Sequence, residues 1–350
     1  MQTDHTLQTI LPYLQNITAP TLWYADENAT PAIDAIQAND LLTLVTNRYD
    51  IYQHASAKKI QAIFSDFNLA DYPEKKYATI VYRISKEKAL SNHLLNQAAQ
   101  ILESKGKLII SGYKQEGIKS YSDNIRKKLK ATGKLEKKGA SYIGTYSALD
   151  KSQKLDDRNY SSIQKVAAGN VAQGYFHSKP GVFGWNKIDK GSELLVSSAK
   201  SFLSDEKLNP KKLLDLGCGY GWIFLSMEKY VTGSITATDN NAAAIISAKE
   251  NKKLITTPTT IITSDCADSI TEKFDLILCN PPFHQGFKHN QALTKKFISA
   301  CKYKLEKKGA AILVLNEFIA IDPYVKKEKL KQTPLTIESG FKVVLLEHKV

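Results

Sequence analysis

Cysteine is scarce in this chain. The four present, Cys218, Cys266, Cys279 and Cys301, all lie in the second half, and none forms a Cys-x-x-Cys pair. A zinc finger and a disulfide framework are both poor readings of that pattern, and free thiols in a reducing compartment fit it better. Long apolar runs are missing too: no stretch reaches the roughly 18 apolar residues of a membrane helix. Met1 to Thr9 carry Asp4 and no apolar block, so no secretory signal is read there. The expectation is a cytoplasmic protein with no membrane partner. Acidic residues are in deficit, 35 Asp and Glu against 48 Lys and Arg, which leaves a net charge of +13. Such an excess favours a polyanionic partner, because neutralising phosphates drives nucleic-acid binding. A lysine-rich surface that serves solubility is the plainer alternative.

What is present suffices for real cores. The 350 residues are 43% hydrophobic, room for two ordinary domains of roughly 100–200 residues each. The second half alternates strand and helix. Strands are predicted at Lys212–Leu216, Ser234–Thr238, Thr260–Thr263, Phe274–Cys279 and Ala310–Asn316, with helices between them such as Ala242–Asn251 and Gln291–Leu305. That alternation implies a parallel sheet covered by helices. The apolar tail Phe341–His348, after Glu338-Ser339-Gly340, suits an edge strand that closes the sheet.

The first half repeats the plan. Lys76–Tyr82 parallels Lys273–Cys279, and Glu103–Ile110 parallels Glu306–Leu313. Upstream, Leu42–Tyr52 with Asn47 stands where Ile235–Ala244 with Asp239 stands in the second half. A repeat of this period suggests duplication. The copies differ where chemistry would sit. Asp215-Leu216-Gly217-Cys218-Gly219-Tyr220-Gly221 faces Ala25-Asp26-Glu27-Asn28-Ala29, and Asn280-Pro281-Pro282-Phe283 faces Arg83-Ile84-Ser85-Lys86. The N-terminal copy, residues 1–160, therefore reads as catalytically dead, and residues 170–350 as the active domain. A polar linker runs from about Asp150 to Lys179.

The glycines at 217, 219 and 221 let the backbone turn tightly and approach a ligand. A dinucleotide fold would want Gly-x-Gly-x-x-Gly, but position 222 is Trp. An acid before the first glycine suits a cofactor without a pyrophosphate, namely S-adenosylmethionine, with Asp215 toward its positively charged methionine end. Asp239, ending the next strand, can accept from two ribose hydroxyls; Asp239 or Asn240 could instead cap the following helix. Asp265 can accept from an adenine amino group, with the Cys266 backbone against the ring. Three acids at the ends of successive strands face one crevice, where open α/β sheets bind ligands.

Asn280-Pro281-Pro282-Phe283 follows the fourth strand and reads as the catalytic loop. A base or amide nitrogen is a poor nucleophile because its lone pair is delocalised. The Asn280 side-chain oxygen and the Pro281 carbonyl can grip two amine hydrogens and hold the lone pair toward a methyl group. Pro281 and Pro282 stiffen the loop, and Phe283 offers a face for a flipped base. Arg126-Lys127-Lys128-Leu129-Lys130, with Lys134, Lys137 and Lys138, forms a basic run near Tyr113, Tyr121 and Tyr142. It suits RNA, or it is a solvated face.

These residues carry a resemblance. Gly181-Val182-Phe183, Asp189-Lys190-Gly191-Ser192, Asp215–Gly219 and Asn280–Gly286 resemble the class I methyltransferases, and within them the ribosomal RNA guanine-N2 methyltransferases. Gly184-Trp185-Asn186 departs from the Ser-Arg-like pair expected after Phe183. The resemblance implies two tandem Rossmann-like class I methyltransferase domains, the N-terminal one degenerate and fit to bind RNA. It implies cofactor contacts from Phe183, Gly191, Asp215, Gly217, Cys218, Gly219, Asp239, Asn240, Asp265, Cys266 and Asn280, and no metal. It further implies, as substrate, a guanine of small-subunit rRNA, naked or in an assembled subunit, met by a monomeric enzyme. The alternatives are a large-subunit rRNA guanine-N2 enzyme, a protein glutamine methyltransferase, and a non-catalytic RNA-binding assembly factor.

Overall fold

Strands that are buried along their whole length are covered on both faces, as parallel strands flanked by helices are. Thr21–Tyr24 and Leu42–Thr46 are buried at every position, as is Leu213 to Leu216. The computed structural model describes residues 4–73, 76–169, 171, 174–282, 284–285, 288–289 and 291–349. They fall into two units, Met1–Ser162 and Ile163–Val350.

In the first unit, β1 (Thr21–Tyr24), β2 (Leu42–Thr46), β3 (Ala62–Phe64), β4 (Tyr77–Arg83), β5 (Leu102–Gly112), β6 (Thr132–Lys138) and β7 (Ser141–Ser147) form one sheet. Its order is β3-β2-β1-β4-β5-β7-β6. The first five run parallel, and β7 joins β5 antiparallel. Helices α1 (His5–Gln15), α2 (Thr30–Asp34), α3 (Tyr49–Ala57), α4 (Lys88–Ile101) and α5 (Ile118–Lys127) complete it. Leu22 and Tyr24 pack into one core and Trp23 into the other, as alternation along a strand requires.

The second unit opens with a hairpin of β8 (Gln164–Ala167) and β9 (Tyr175–Ser178), inside the stretch read above as linker, and then α6 (Lys190–Asp205). Its sheet comprises β10 (Lys212–Leu216), β11 (Ser234–Asp239), β12 (Thr259–Thr263) and β13 (Phe274–Cys279). After the short pair β14 (His284–Gln285) and β15 (Lys288–His289), it continues with β16 (Leu305–Asn316), β17 (Leu330–Glu338) and β18 (Phe341–His348). The order is β12-β11-β10-β13-β16-β18-β17, the order of the first sheet. Helices α7 (Trp222–Met227), α8 (Ala242–Lys252), α9 (Gln291–Lys304) and α10 (Asp322–Lys327) lie between the strands.

The duplication extends to an irregularity. β4 and β5 slip register between Tyr77 and Thr79, and β13 and β16 slip between Phe274 and Leu276. Beside each slip stands a glycine that a side chain would overfill. A Cβ on Gly106 would lie 2.9 Å from Leu102 Cδ1, and one on Gly309 2.8 Å from Leu305 Cδ1.

One strand prediction is corrected. Phe341–His348 is not the edge: β18 lies between β16 and β17, and β17 is outermost. The sequence hides β17 because only Leu330 of it is buried and Pro334 interrupts it. An edge tolerates both.

Strand registers also show what stands at each level of the two sheets. Trp23 takes the level of Asp215, Arg83 that of Asn280, and Asp66 that of Asp265. The residue level with Asp239 is Thr46 rather than Asn47, a shift of one position from the sequence reading. Arg83 is buried, and its guanidinium pairs with Asp4 at 3.0 Å, Asp26 at 3.1 Å and Glu116 at 3.0 Å. Tyr160 is wholly buried, stacks on His93 and donates its hydroxyl to Asp66 at 2.8 Å. The levels that carry Asn280 and Asp265 in the second unit are thus taken up by the first unit's own side chains.

Removing one member of a buried ion network strands the others. Arg83→Met should therefore destabilise the first unit by about 3–5 kcal/mol, read by denaturant unfolding. A loss below about 1 kcal/mol would mean that the three acids find other partners or water.

Candidate active site

The second sheet reverses its strand order between β10 and β13, and the C-terminal ends of these two strands flank that switch point. Open α/β sheets hold ligands in such a crevice. Gly217, Gly219 and Gly221 all have positive φ, at 77°, 55° and 94°, which side chains would strain. At Gly221 a Cβ would also lie 2.1 Å from the Phe224 ring. The Gly217 and Cys218 N–H groups both donate to Thr238 O at 2.9 Å, and the Gly219 N–H donates to Asp239 Oδ2 at 2.8 Å. The end of β11 therefore shapes the glycine loop.

Asp215 is fully buried. Its Oδ2 accepts from the Phe224 N–H at 3.1 Å, while its Oδ1 is buried without a partner among the described residues. Burial, reinforced by Asp239, pushes its carboxyl up to about 8, against the pull of the Phe224 N–H. A buried acid with one unmet oxygen beside a glycine cradle fits a cationic ligand group. The cofactor S-adenosylmethionine presents such a group.

Asp239 accepts from backbone at both oxygens, at 2.8 Å from Gly219 and 2.8 Å from the Asn241 N–H. The cap of α8 is neither Asp239 nor Asn240. Asn241 holds that position, accepting from the Ala243 N–H at 2.8 Å. Asn240 is half-buried beside it.

Asp265 is buried and ion-paired through Oδ2 to Lys296 of α9, so an adenine amino group would share this acid with a lysine. Cys266 and Ala267 have left-handed φ of 53° and 60°, which turns the chain sharply after β12.

Asn280 is half-buried, and its amide nitrogen donates to Asp189 Oδ2 at 2.8 Å and to Ser192 Oγ at 2.8 Å. Both amide hydrogens are thereby committed, and no described residue donates to Oδ1. Asp189 is also the N-cap of α6, accepting from the Ser192 N–H at 2.9 Å. Gly191 fits tightly under this turn: a Cβ there would lie 3.0 Å from Asp189 Oδ2 and 3.1 Å from the Phe341 ring. Its visible role is to let α6 start here.

The segment leading into α6 is fastened to the cofactor side. Asn251 donates to His177 O at 2.7 Å and Tyr220 O at 2.6 Å, Asn241 donates to Gly181 O at 3.1 Å, and Tyr220 Oη donates to Lys187 O at 3.1 Å. Phe176 stacks on Tyr220 with centroids 4.3 Å apart. Phe183, at the crest of this segment, is 82% exposed. Pro281 is buried and Pro282 exposed, while Phe283 lies outside the described residues.

Sequence reasoning missed the clamp and the partner of Asp265, Lys296 of α9. Asp189 and Ser192 were noticed as text and not as the pair that orients Asn280; their Asp-x-x-Ser capping spacing is the signal that could have found them.

In the first unit Arg126, Lys127 and Lys128 at the end of α5 are exposed. Lys130 pairs with Asp150, and Lys134 and Lys138 with Glu136. Tyr121, read from the sequence as an aromatic beside the basic run that suits RNA, is instead buried in the core. Tyr113 donates its hydroxyl to Asp4, and Tyr142 lies beneath Lys119. All four cysteines are free thiols. No helix among the described residues is long and apolar enough to cross a membrane.

Fold, glycine loop and Asn-Pro-Pro loop together define a methyltransferase. Two family models match in tandem, the methyltransferase small domain over residues 173–345 and the methyltransferase small domain N-terminal over residues 22–152. The chain belongs to this two-domain family of S-adenosylmethionine-dependent methyltransferases. It is 27% identical over 312 residues to the ribosomal RNA small subunit methyltransferase C of Aeromonas hydrophila, covering 87% of this chain and 86% of that one. It is 26% identical over 322 residues to the same-named protein of Hahella chejuensis, covering 90% and 91%. The solved T. thermophilus 16S rRNA N2 methyltransferase, in complex with AdoMet and guanosine, matches with a TM-score of 0.84 at 20% identity, covering 99% of this chain and 93% of that one. The likeness extends to both units.

A cationic cofactor group placed against Asp215 would make binding proton-linked. A ligand cation favours ionised Asp215, so affinity should rise as pH is raised toward 8 and fall below it. At neutral pH, binding should release about one proton, measured by calorimetry in buffers of different ionisation enthalpy. Asp215→Asn, whose side chain cannot titrate, should lose that share of the release. Equal release by both proteins would show that Asp215 is already ionised.

Proposed function

We propose that the chain transfers the methyl group of S-adenosylmethionine to the exocyclic N2 of a guanine in 16S rRNA. The observation that carries this reading is the state of Asn280. With both amide hydrogens engaged by Asp189 and Ser192, its Oδ1 is fixed as an acceptor at the switch point. The relatives with this two-domain plan are named as small-subunit rRNA enzymes.

Bound S-adenosylmethionine supplies an electrophilic methyl group on sulfur. The protein's own work is positional. Asp215 and the glycine loop hold the cationic end, and Asp239 holds the ribose. Asn280 Oδ1, with the Pro281 carbonyl, accepts the two hydrogens of the guanine amine and turns its lone pair toward the methyl group. Its contact strengthens as the nitrogen gains positive charge, so it lowers the barrier rather than only binding substrate. No base is needed before transfer, because the amine proton becomes acidic once the nitrogen carries the methyl group. Arg126, Lys127 and Lys128 meet the RNA backbone. On this reading the enzyme acts as a monomer in the cytoplasm, where its rRNA is made.

Mass mapping of modified nucleotides in 16S and 23S rRNA from a strain lacking the protein tests the substrate. One N2-methylguanine should vanish from 16S rRNA alone, and its loss from 23S rRNA would overturn the assignment. Single-turnover assays, on naked 16S rRNA and on assembled subunits, test the mechanism. Asn280→Ala should cut turnover by roughly 10²–10³-fold with cofactor affinity intact. Charge reversal at Arg126, Lys127 and Lys128 should instead weaken RNA binding and flatten its salt dependence. A fully active Asn280→Ala enzyme would remove Asn280 from the mechanism.

A further inference from the structure

The turn that carries Asp265 has a close counterpart in the first unit. Ser65-Asp66-Phe67 follows β3 as Ser264-Asp265-Cys266 follows β12, and the third residue is left-handed in both, at φ 58° and 53°. In each turn the serine hydroxyl donates to an acid further along, Ser65 to Asp71 and Ser264 to Asp268. The helix beside the turn is shared as well. α4 and α9 run directly into β5 and β16, where Leu102 pairs with Tyr77 and Leu305 with Phe274. His93 stands as far ahead of Leu102 as Lys296 stands ahead of Leu305. Both side chains reach the turn: His93 Nε2 lies 3.4 Å from Phe67 O, and Lys296 pairs with Asp265.

In the first unit this place is filled by the chain itself. The ring of Tyr160 is wholly buried and stacks on His93, with centroids 4.7 Å and planes 25° apart, and its hydroxyl donates to Asp66 at 2.8 Å. A flat ring with a donor on its edge is also what an adenine and its amino group present. The acid after the strand takes the edge, and the helix residue takes the face. Carried to the second unit, Asp265 takes the edge and Lys296 the face. α9 borders the cofactor side there, because a Cβ on Gly217 would lie 3.5 Å from the Phe297 ring. A lysine suits the position. Its methylene stem can lie along an apolar face, and its ammonium is attracted to a ring's π-system. The Lys296 side chain is 46% exposed, so it can move across a ring without disturbing the core.

We propose that Lys296 covers one face of the cofactor's adenine ring while Asp265 accepts from its amino group, so that α9 helps to hold S-adenosylmethionine. This rests on the reading of Asp265 as the acid that meets the adenine.

Calorimetric titration of the protein tests it with two ligands, S-adenosylhomocysteine and its deaminated counterpart S-inosylhomocysteine, which carries an oxygen in place of the amino group. Lys296→Ala should weaken both ligands by about 5–10-fold, because it removes a contact with the ring face. Lys296→His, which copies the first unit, should return affinity to within about 3-fold of wild type by stacking instead. Asp265→Ala should abolish most of the preference for the adenosyl ligand, because it removes the acceptor for the amino group. Tighter binding by Lys296→Ala would overturn the proposal, by making the lysine a competitor for Asp265. Unchanged affinity would overturn it as well, as would a loss confined to the adenosyl ligand or a loss that Lys296→His does not recover. The two failures are distinguishable. If Asp265→Ala keeps the preference, the adenine does not sit at Asp265 at all; if it loses the preference while Lys296→Ala changes nothing, only the lysine is removed from the site.

Discussion

The structure turns on one side-chain amide. Asn280 can serve as an acceptor toward a substrate amine only if its oxygen, and not its nitrogen, faces the crevice. Asp189 and Ser192 decide that by taking both amide hydrogens at 2.8 Å. An asparagine held in this way has one orientation, so little reorganisation is left for the moment of reaction. The clamp in turn depends on where α6 begins. Asp189 caps that helix, Gly191 leaves room for the carboxylate against Phe341, and the incoming segment is tied down by Asn241, Asn251 and Tyr220. The glycine loop and the end of β13 are thus fastened to the same strap.

The two units show what happens to such a frame when the chemistry is withdrawn. Strand order and even the register slip after Tyr77 and Phe274 are common to both. At the levels that matter, the first unit has Trp23 for Asp215, Thr46 for Asp239 and Arg83 for Asn280. It keeps an acid at the fourth level, Asp66 for Asp265, and closes it with the Tyr160 hydroxyl. Arg83 sits among Asp4, Asp26 and Glu116, an internal cation bound by internal anions. A crevice built to hold charged groups has been satisfied from within, consistent with the rule that buried charges are paired.

Much of this was legible beforehand. Lys212–Leu216 and Phe274–Cys279 are mostly apolar and are followed by a glycine and an asparagine, so they could be placed to the residue. The Asp-Gly loop and the Asn-Pro-Pro loop are local in sequence and were visible as text. What stayed hidden is long-range or unpatterned. β17 is half-exposed with a proline inside, so no period marks it. The pairing of Asn280 with Asp189 spans 91 positions, and that of Asp265 with Lys296 spans 31. Neither distance is encoded by any spacing. The cap of α8 was missed by one residue because three consecutive residues, Asp239, Asn240 and Asn241, can all cap, and only the backbone decides among them.

The central claim is that Asp189 acts through the orientation of Asn280. A double-mutant cycle on the rate of single-turnover methylation at saturating cofactor and RNA tests it most directly. Asp189→Ala alone should slow methyl transfer by about 10-fold or more, and in the Asn280→Ala background it should have no further effect, because there is then no amide to orient. Equal losses from Asp189→Ala in both backgrounds would contradict the account and leave Asp189 as a helix cap only.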